Sequence, residues 1–240
     1  MNGFVIDHSL NPILAHWDES HPDLFFGHEN SSNSKSLLEE NLCRKTFNRL
    51  RQFHDLLVKW NQKKQLVAHS TLSSIWSRHI LDSVQLFRFR PHHPYRWVDI
   101  GTGGGFPGLV LAILANQLNE QDEFFFIEAN RFKAEFLKQA VRQLDINAIV
   151  YHSRIEQLKS LNADVISARA VVNLPQLLTW TYCHLNQDGY GLFPKGCSVG
   201  DEIKQARMNW DFEENEFKSW THSAGRVVRI SCLETKPDAN

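Results

Sequence analysis

Glycine occupies four of the five positions 101–105, within the stretch VDIGTGGGFPGLVLAI that runs from Val98 to Ile113. A short apolar run before these glycines predicts a strand, and a longer apolar run after them predicts a helix. Glycine allows positive φ values and lets a ligand lie against the backbone, and the N–H groups at a helix N-terminus face that ligand. In this context the loop predicts a ligand site. The alternative is a turn whose glycines serve only close packing.

Two acidic residues stand where predicted strands end. Asp99 comes just before the glycine loop, and Glu128 ends the next predicted strand, 23 residues after Gly105. An acid at Asp99 disfavours a pyrophosphate and favours a ligand with a cationic amine, such as S-adenosylmethionine. An acid at the position of Glu128 binds ribose hydroxyls in nucleotide-binding α/β folds, a contact that NAD and S-adenosylmethionine share. The predicted cofactor-binding residues of this stretch are Asp99, Gly101, Gly103, Gly105 and Glu128.

Short apolar runs alternate with helical patterns from residue 96 onward, which predicts βαβ units and a mostly parallel sheet in an α/β fold. The predicted strands cover residues 96–100, 124–129, 148–153, 163–170, 189–196, 212–217 and 225–233. The predicted helices between them cover residues 109–118, 131–145, 174–185 and 201–210.

The region before the first predicted strand has a different organisation. Residues 1–35 are polar and weakly periodic, which predicts a loosely ordered extension. Apolar residues at helical spacing predict one helix over 36–62 and a second over 73–87. We therefore expect a helical segment over 36–95 and a cofactor-binding domain over 96–240.

Positive charge is concentrated in the helical segment, although the whole chain has a net charge of only −1. Residues 44–96 contain eleven Lys and Arg but only two Asp. Such a block is typical of a protein that binds a nucleic-acid backbone, and the alternative is a solvated helical face. The candidate residues for contact with that backbone are Lys59, Lys63, Lys64 and Arg78, and the family resemblance described below implies that the nucleic acid is RNA.

Metal and membrane sites are not indicated. The four cysteines form no C-x-x-C pair and the twelve histidines show no H-x-x-x-H spacing, so we expect free thiols and no metal. No apolar run is long enough to span a bilayer, and no secretion signal is evident at the N-terminus. These patterns predict a cytoplasmic protein, which we expect to be a monomer.

Several longer motifs resemble one family. WVDIGTGGGFPGLVLAI, FIEANRFKAEFLKQA, SRIEQL, DVISARAV and GLFPKG, with LLVKWN and RHILDS upstream, resemble the small-subunit rRNA methyltransferase G family, also called glucose-inhibited division protein B. The resemblance covers roughly residues 40–232. It implies a Rossmann-like class I methyltransferase fold that methylates N7 of one guanine in the 530 loop of 16S rRNA, using S-adenosylmethionine. One departure is QLV at 65–67, where the family commonly has N-L-T, and it puts a role for that turn in doubt.

The resemblance also implies roles for individual residues. Gly101 and Phe106 fall where the family's loop contacts the cofactor, and Glu128 takes the ribose position. Ile155 and Glu156 fall where the family frames the adenine. Arg169, in SARA, falls on the family's arginine near the cofactor and the target base, which makes it a candidate for binding the cofactor or for guiding the guanine.

The implied reaction needs no acid or base, because guanine N7 carries a lone pair and no proton. Catalysis can rest on alignment of N7 with the methyl group. We therefore expect positioning residues only, with Arg169, Arg154 and Lys195 as candidates. The alternatives are a structural ion pair for Arg169, an orienting contact to Glu156 for Arg154, and a solvated strand end for Lys195.

Two other functions remain open at this point. An NAD-dependent oxidoreductase would share the glycine loop, but no proton-donor constellation accompanies it and Asp99 counts against it. A non-catalytic RNA-binding or assembly protein could keep the same fold. The intact loop and Glu128 favour retained cofactor binding over that alternative.

Overall fold

The computed structural model describes residues 35–116 and 121–236, with side chains from residue 44 onward. Apart from Lys35, the predicted extension over 1–35 lies outside the described residues. Among the described cysteines, Cys183, Cys197 and Cys232 are free and exposed.

The described residues form one seven-stranded sheet of order β3-β2-β1-β4-β5-β7-β6. The first five strands in this order are parallel, and β7 lies antiparallel between β5 and β6. The predicted α/β fold with a mostly parallel sheet is therefore confirmed. The strands are β1 (Arg96–Ile100), β2 (Glu123–Glu128), β3 (Ala148–His152), β4 (Ala163–Ala168), β5 (Leu185–Lys195), β6 (Trp210–Lys218) and β7 (Arg226–Thr235).

Five α-helices of eight or more residues accompany the described sheet: α1 (Lys35–Asn61), α2 (Gly108–Ala115), α3 (Arg131–Leu144), α4 (Leu174–His184) and α5 (Val199–Ala206). Asparagine side chains begin two of them, because Asn130 accepts a hydrogen bond from the Lys133 N–H and Asn173 accepts one from the Gln176 N–H. Within the described residues, none of these helices is both long and apolar enough to cross a membrane.

The second predicted helix, over 73–87, is irregular in the structure. It consists of a 3₁₀ turn (His69–Ser74), a π-helical turn (Trp76–Leu81), a short α-helical turn (Asp82–Val84) and a second 3₁₀ turn (Gln85–Phe89). Serine hydroxyls compete with the regular hydrogen-bond ladder here, since Ser77 bonds the Ser74 carbonyl at 3.3 Å and Ser83 bonds the His79 carbonyl at 2.6 Å.

Two hydrophobic layers cover the two faces of the sheet. One contains α1, α2, α3 and the irregular helical segment, and the other contains α4 and α5. Side chains of β1 alternate between them, with Trp97 in the first and Val98 and Ile100 in the second. Phe53 and Leu57 of α1 are fully buried in the first layer, so the basic N-terminal segment shares a core with the sheet.

Several element boundaries differ from the predicted ones. β4 ends at Ala168 rather than 170, because Ala170 has a φ of 54°, in the left-handed region that a strand cannot contain. β5 begins directly after α4, at Leu185 rather than at 189. The helix predicted over 201–210 is Val199–Ala206.

Candidate functional site

The candidate site is the crevice at the carboxyl ends of β1 and β4. The chain leaves these adjacent strands in opposite directions, since β1 is followed by β2 towards one edge of the sheet and β4 is followed by β5 towards the other edge. Open α/β sheets bind ligands at such a point. We define the glycine loop with Glu128 as one wall of this crevice and residues 169–173, after β4, as the other; the two walls touch where Val171 packs against Gly101.

Glu128 and the glycine loop are held together by hydrogen bonds. One carboxylate oxygen of Glu128 accepts the Gly103 N–H at 2.9 Å and the other accepts the Asn130 N–H at 2.7 Å. The Gly101 N–H bonds the carbonyl of Ile127 at 2.8 Å. The predicted proximity of the loop to Glu128 is therefore present. Each carboxylate oxygen keeps a further lone pair for a ligand hydroxyl.

The glycines of the loop serve two different purposes. Gly101 and Gly103 have φ values of 68° and 57°, and a Cβ on Gly103 would meet only the Gly101 carbonyl, at 3.6 Å. By contrast, a Cβ on Gly105 would lie 2.8 Å from the Phe53 ring, and one on Gly108 would lie 2.6 Å from Asp99 Oδ2. Gly103 is thus open to a ligand, as predicted. Gly105 instead packs closely against α1, so the predicted ligand contact at Gly105 is not supported.

Asp99 does not face a ligand, which corrects the predicted contact with a cationic amine. Its side chain is fully buried; Oδ2 accepts the Gly108 N–H at 3.0 Å and Oδ1 accepts the Ser167 hydroxyl at 2.5 Å. Ser167 stands beside Asp99 in the parallel register of β1 and β4 and also accepts the Trp97 indole N–H at 2.8 Å. Burial raises the pKa of Asp99 to about 6. Asp99 therefore holds the start of α2 against the sheet.

Phe106 faces the N-terminal segment, which corrects its predicted contact with the cofactor. It is only 4% exposed, and its ring centroid lies 5.3 Å from that of Phe53 and 5.0 Å from that of His79. The Arg169 guanidinium lies 5.3 Å from the same ring. Phe106 therefore joins the glycine loop to α1 and to the π-helical turn.

The turn at 65–67, where the sequence departs from the family pattern, supports the glycine loop from behind. The buried Asn61 side-chain oxygen accepts the N–H groups of Leu66 at 2.7 Å and Val67 at 2.9 Å. Val67 then packs so closely that a Cβ on Gly104 would lie 3.2 Å from it. Sequence reasoning missed this role of Asn61; the only signal was an asparagine at the end of an amphipathic helix.

Arg169 lies on the β4 wall of the crevice and is bonded to the π-helical turn and Asp82. Its Nη1 donates to Asp82 Oδ2 at 3.0 Å and to the Arg78 carbonyl at 3.2 Å, and its Nη2 donates to His79 Nδ1 at 2.9 Å. Arg169 thus forms the structural ion pair that was the alternative prediction, and it also lies beside the crevice.

We expect the His79 ring to stay neutral at pH values well below the usual pKa of histidine. Burial, and then the Arg169 charge, lower its pKa to about 4; Asp82 opposes this shift and Arg78 adds to it. Because the folded-state pKa lies below the unfolded value of about 6.5, its stabilising effect is complete above pH 6.5 and is lost as the pH falls towards 4. An NMR titration of the ring checks this expectation. In Arg169→Met the pKa should rise, and a wild-type ring that titrates near 6.5 would contradict the assignment.

The short 3₁₀ turn Ile155–Gln157 follows β3 on the Glu128 side of the crevice. The Ser153 N–H bonds the Glu128 carbonyl at 3.2 Å, which ties the start of this turn to the end of β2. Ile155 is 3% exposed, whereas Arg154 and Glu156 are exposed. The turn therefore lies beside the glycine-loop wall, where the resemblance places the adenine.

Lys195 is not available to a phosphate, which corrects its predicted role. Its side chain is only 9% exposed, and Nζ bonds Glu202 at 2.8 Å and the Val172 carbonyl at 3.2 Å. Glu202 also accepts the Leu174 N–H at 2.8 Å. Lys195 therefore fixes the β4 wall to α5 instead of ending a strand in solvent.

The four candidate RNA-binding residues, Lys59, Lys63, Lys64 and Arg78, are all exposed. Lys63 lies 6.0 Å from the Trp60 ring, and Lys64 lies 5.4 Å from the Phe132 ring at the start of α3. Phe132 follows Glu128 by four residues, so this basic surface borders the glycine-loop side of the crevice. In the described part of the chain, no group of three His, Cys, Asp or Glu side chains could hold a metal ion.

Comparison with solved structures supports the fold. The chain resembles an S-adenosylmethionine-dependent methyltransferase from Aquifex aeolicus with a TM-score of 0.52 and 15% identity, over 65% of this chain and 92% of the other. The match confirms the predicted Rossmann-like methyltransferase fold.

Sequence comparison identifies the family. A relative from Ruegeria pomeroyi, named ribosomal RNA small subunit methyltransferase G, is 41% identical over 191 residues, covering 80% of this chain and 93% of the relative. A relative of the same name from Rhodospirillum centenum is 42% identical over 190 residues, covering 79% and 86%. The family model described as rRNA small subunit methyltransferase G matches residues 46–229. The resemblance seen in the motifs is thereby confirmed, and this chain belongs to the rRNA small subunit methyltransferase G family.

Proposed function

We propose that this protein methylates N7 of one guanine in the 530 loop of 16S rRNA, with S-adenosylmethionine as methyl donor. The observation that carries the proposal is the crevice between β1 and β4, where the open side of Gly103 and the Glu128 carboxylate adjoin. Family membership supports the rRNA substrate, and the exposed basic surface beside the crevice supports binding of its backbone.

The residues present fit a nucleoside cofactor. Glu128 has lone pairs left for ribose hydroxyls, and the open side of Gly103 allows close approach of a ligand, whereas the Val171 side chain covers Gly101. Ile155 and Glu156 would frame the adenine. Asp99 acts indirectly, because its bond to Gly108 fixes the loop that the cofactor would contact.

The chemistry requires alignment more than proton transfer. When bound, S-adenosylmethionine supplies a methyl group on a sulfonium leaving group, and guanine N7 supplies the lone pair that accepts it. The protein's task is to orient the two groups and to keep positive charge away from N7, which becomes part of a cationic base. Arg169 suits the orienting part of this task, since Asp82 and His79 hold its guanidinium on the β4 wall and its remaining donors can bond guanine O6 instead of N7.

A methylation assay tests the proposal. Labelled S-adenosylmethionine would be incubated with the protein and either small ribosomal subunits or free 16S rRNA, and the modified base would be mapped by mass spectrometry. We expect label at N7 of one guanine in the 530 loop. Label at another nucleotide or on protein would overturn the substrate assignment.

This assay and a cofactor titration separate the two other functions. A non-catalytic binding protein would bind the RNA and leave it unlabelled. An oxidoreductase would bind NADH, which a fluorescence titration detects. We expect binding of S-adenosylmethionine and none of NADH.

Neutralising Lys63 and Lys64 together should weaken RNA binding and flatten its salt dependence. Each lost phosphate contact lowers the slope of log affinity against log salt by about 0.7 on single-stranded RNA, so the pair should lower it by about 1.4. Binding measured at several salt concentrations for Lys63→Gln/Lys64→Gln checks this. Lys159→Gln/Lys204→Gln removes two exposed charges elsewhere and is the control. Equal slopes for the two double variants would contradict the phosphate contacts.

A further inference from the structure

We propose that His79 and Asp82 are positioning residues, which hold the Arg169 guanidinium in one orientation at the crevice, and that Thr221 orients Asp82 for this task. The inference deepens the proposed function and rests on it. It assigns roles to two residues of the RHILDS motif, and to a loop between β6 and β7, which lie outside the cofactor-binding wall.

The Arg169 guanidinium is fixed on more than one side. Its Nη1 donates to Asp82 and to the Arg78 carbonyl, its Nη2 donates to His79, and its Cζ lies 5.3 Å from the Phe106 ring centroid. These three bonds use three of the five N–H donors of arginine. The Nε–H and one N–H of Nη2 have no acceptor among the described residues. The side chain is still 18% exposed, and we infer that these two donors are the ones a ligand would meet.

His79 can hold the arginine only as one neutral tautomer. An arginine only donates, so Nδ1 must accept from Arg169 and the ring proton must be on Nε2. That nitrogen lies 2.9 Å from Thr71 Oγ1, which takes the proton's hydrogen bond. Stacking on Phe106, with an interplanar angle of 26°, fixes the plane of the ring. His79 is thus oriented by contacts on both sides.

Asp82 connects the arginine to the far end of the chain. Its Oδ2 bonds Arg169, and its Oδ1 accepts the Thr221 hydroxyl at 2.7 Å and the Gln85 side-chain amide at 2.8 Å. The side-chain oxygen of Gln85 accepts the Trp220 N–H at 3.0 Å, from the same loop as Thr221. Because both of its oxygens are bonded, the Asp82 carboxylate is held in one orientation.

The contacts converge on the wall where the target base must enter. Arg169 directly follows β4, whereas Glu128 ends β2, so we expect a shift of the guanidinium to act on the target base more than on the ribose site. A displacement of about 1 Å can lower the rate about a hundredfold when catalysis depends on alignment. Loss of Asp82 or His79 should therefore lower the rate of methyl transfer without weakening the cofactor.

The test compares His79→Phe, His79→Gln and Asp82→Asn with the wild type. His79→Phe keeps an aromatic ring on Phe106 but removes the acceptor, whereas His79→Gln restores an acceptor and a donor. We expect kcat to fall about tenfold or more in His79→Phe and Asp82→Asn, with the Kd for S-adenosylmethionine changed less than twofold. His79→Gln should recover most of kcat.

Two further variants keep the result decisive. His54 and Asp55 form another histidine–aspartate pair, at 3.0 Å, which is more exposed than Asp82 and Arg169. Asp55→Asn is therefore the matched control and should keep wild-type kcat. Thr221→Val removes the hydroxyl at nearly constant shape, and we expect a fall in kcat of about threefold with unchanged thermal stability. It replaces Asp82→Asn if that variant does not fold.

An NMR readout separates failure of this inference from failure of the proposed function. In protein with ¹⁵N-labelled arginine, the Arg169 side-chain signals should be sharp in the wild type and averaged in His79→Phe and Thr221→Val. Wild-type protein that transfers no methyl group overturns the function, and these signals still decide the positioning. Unchanged kcat in His79→Phe and Thr221→Val, or His79→Gln as slow as His79→Phe, would overturn the inference.

Discussion

Gly101→Asp is expected to abolish S-adenosylmethionine binding while the protein still folds. Gly101 has a φ of 68°, and aspartate tolerates this left-handed region better than most residues. The new Cβ would lie 2.6 Å from a methyl group of Val171, which is 36% exposed and can turn away. The carboxylate would then stand between the two walls of the crevice. Calorimetry should detect no binding, and circular dichroism should be unchanged.

The matched control is Gly200→Asp, which adds the same charge where a Cβ would meet nothing within 4 Å. This variant should bind the cofactor like the wild type. Gly105→Ala is a useful contrast, because its Cβ would press on Phe53 at 2.8 Å and should lower stability. Wild-type cofactor affinity in Gly101→Asp would show that the glycine wall is not the binding site.

Asp99→Ala is expected to destabilise the fold by about 3 kcal/mol, because two buried donors lose their acceptor. The Gly108 N–H at the start of α2 and the Ser167 hydroxyl would both be left without it. Urea denaturation should show the loss. The exposed Asp188 provides the control, since Asp188→Ala should change stability by less than about 0.5 kcal/mol. A similarly small effect of Asp99→Ala would contradict the anchoring role.

Asp99→Asn offers a second test that depends on pH. Burial raises the folded-state pKa of Asp99 to about 6, above the unfolded value. Between about pH 4 and 6 the folded wild type therefore binds more protons than the unfolded chain, and its stability falls with rising pH at this group. Asparagine does not titrate. The free energy of unfolding of Asp99→Asn relative to the wild type should thus increase from pH 4 to 7. If this difference does not change with pH, the folded-state pKa of Asp99 is not raised.

The local part of the site could be predicted from the sequence. The glycine loop and Arg169 follow strands and Glu128 ends one, and parallel strands bring their carboxyl ends to one edge, so order along the chain was enough to place them together. Alternating apolar runs likewise predicted the sheet. Pattern rules capture such features because they depend on neighbours only a few residues apart.

The direction in which side chains face could not be predicted in the same way. Asp99 looked like a ligand contact because only its position at a strand end was visible, whereas its burial depends on Ser167, 68 residues away. Lys195 was paired by a glutamate on α5, and Phe106 was covered by α1 and His79. Each of these outcomes is decided by packing between distant segments, which single-sequence patterns do not contain.

The position of β7 in the sheet determines how late in synthesis the Arg169 contacts can form. A ribosome releases β6 before β7, yet in the described sheet β6 pairs with β7 alone, and β7 also covers the edge of β5. Until Arg226–Thr235 has emerged, β5 has an open edge and the loop that contains Thr221 lacks its second strand. The contact from that loop through Asp82 to Arg169 therefore forms among the last. A chain cut short before residue 226 would lack β7, would leave β6 without its pairing partner, and would lose the support of its target wall.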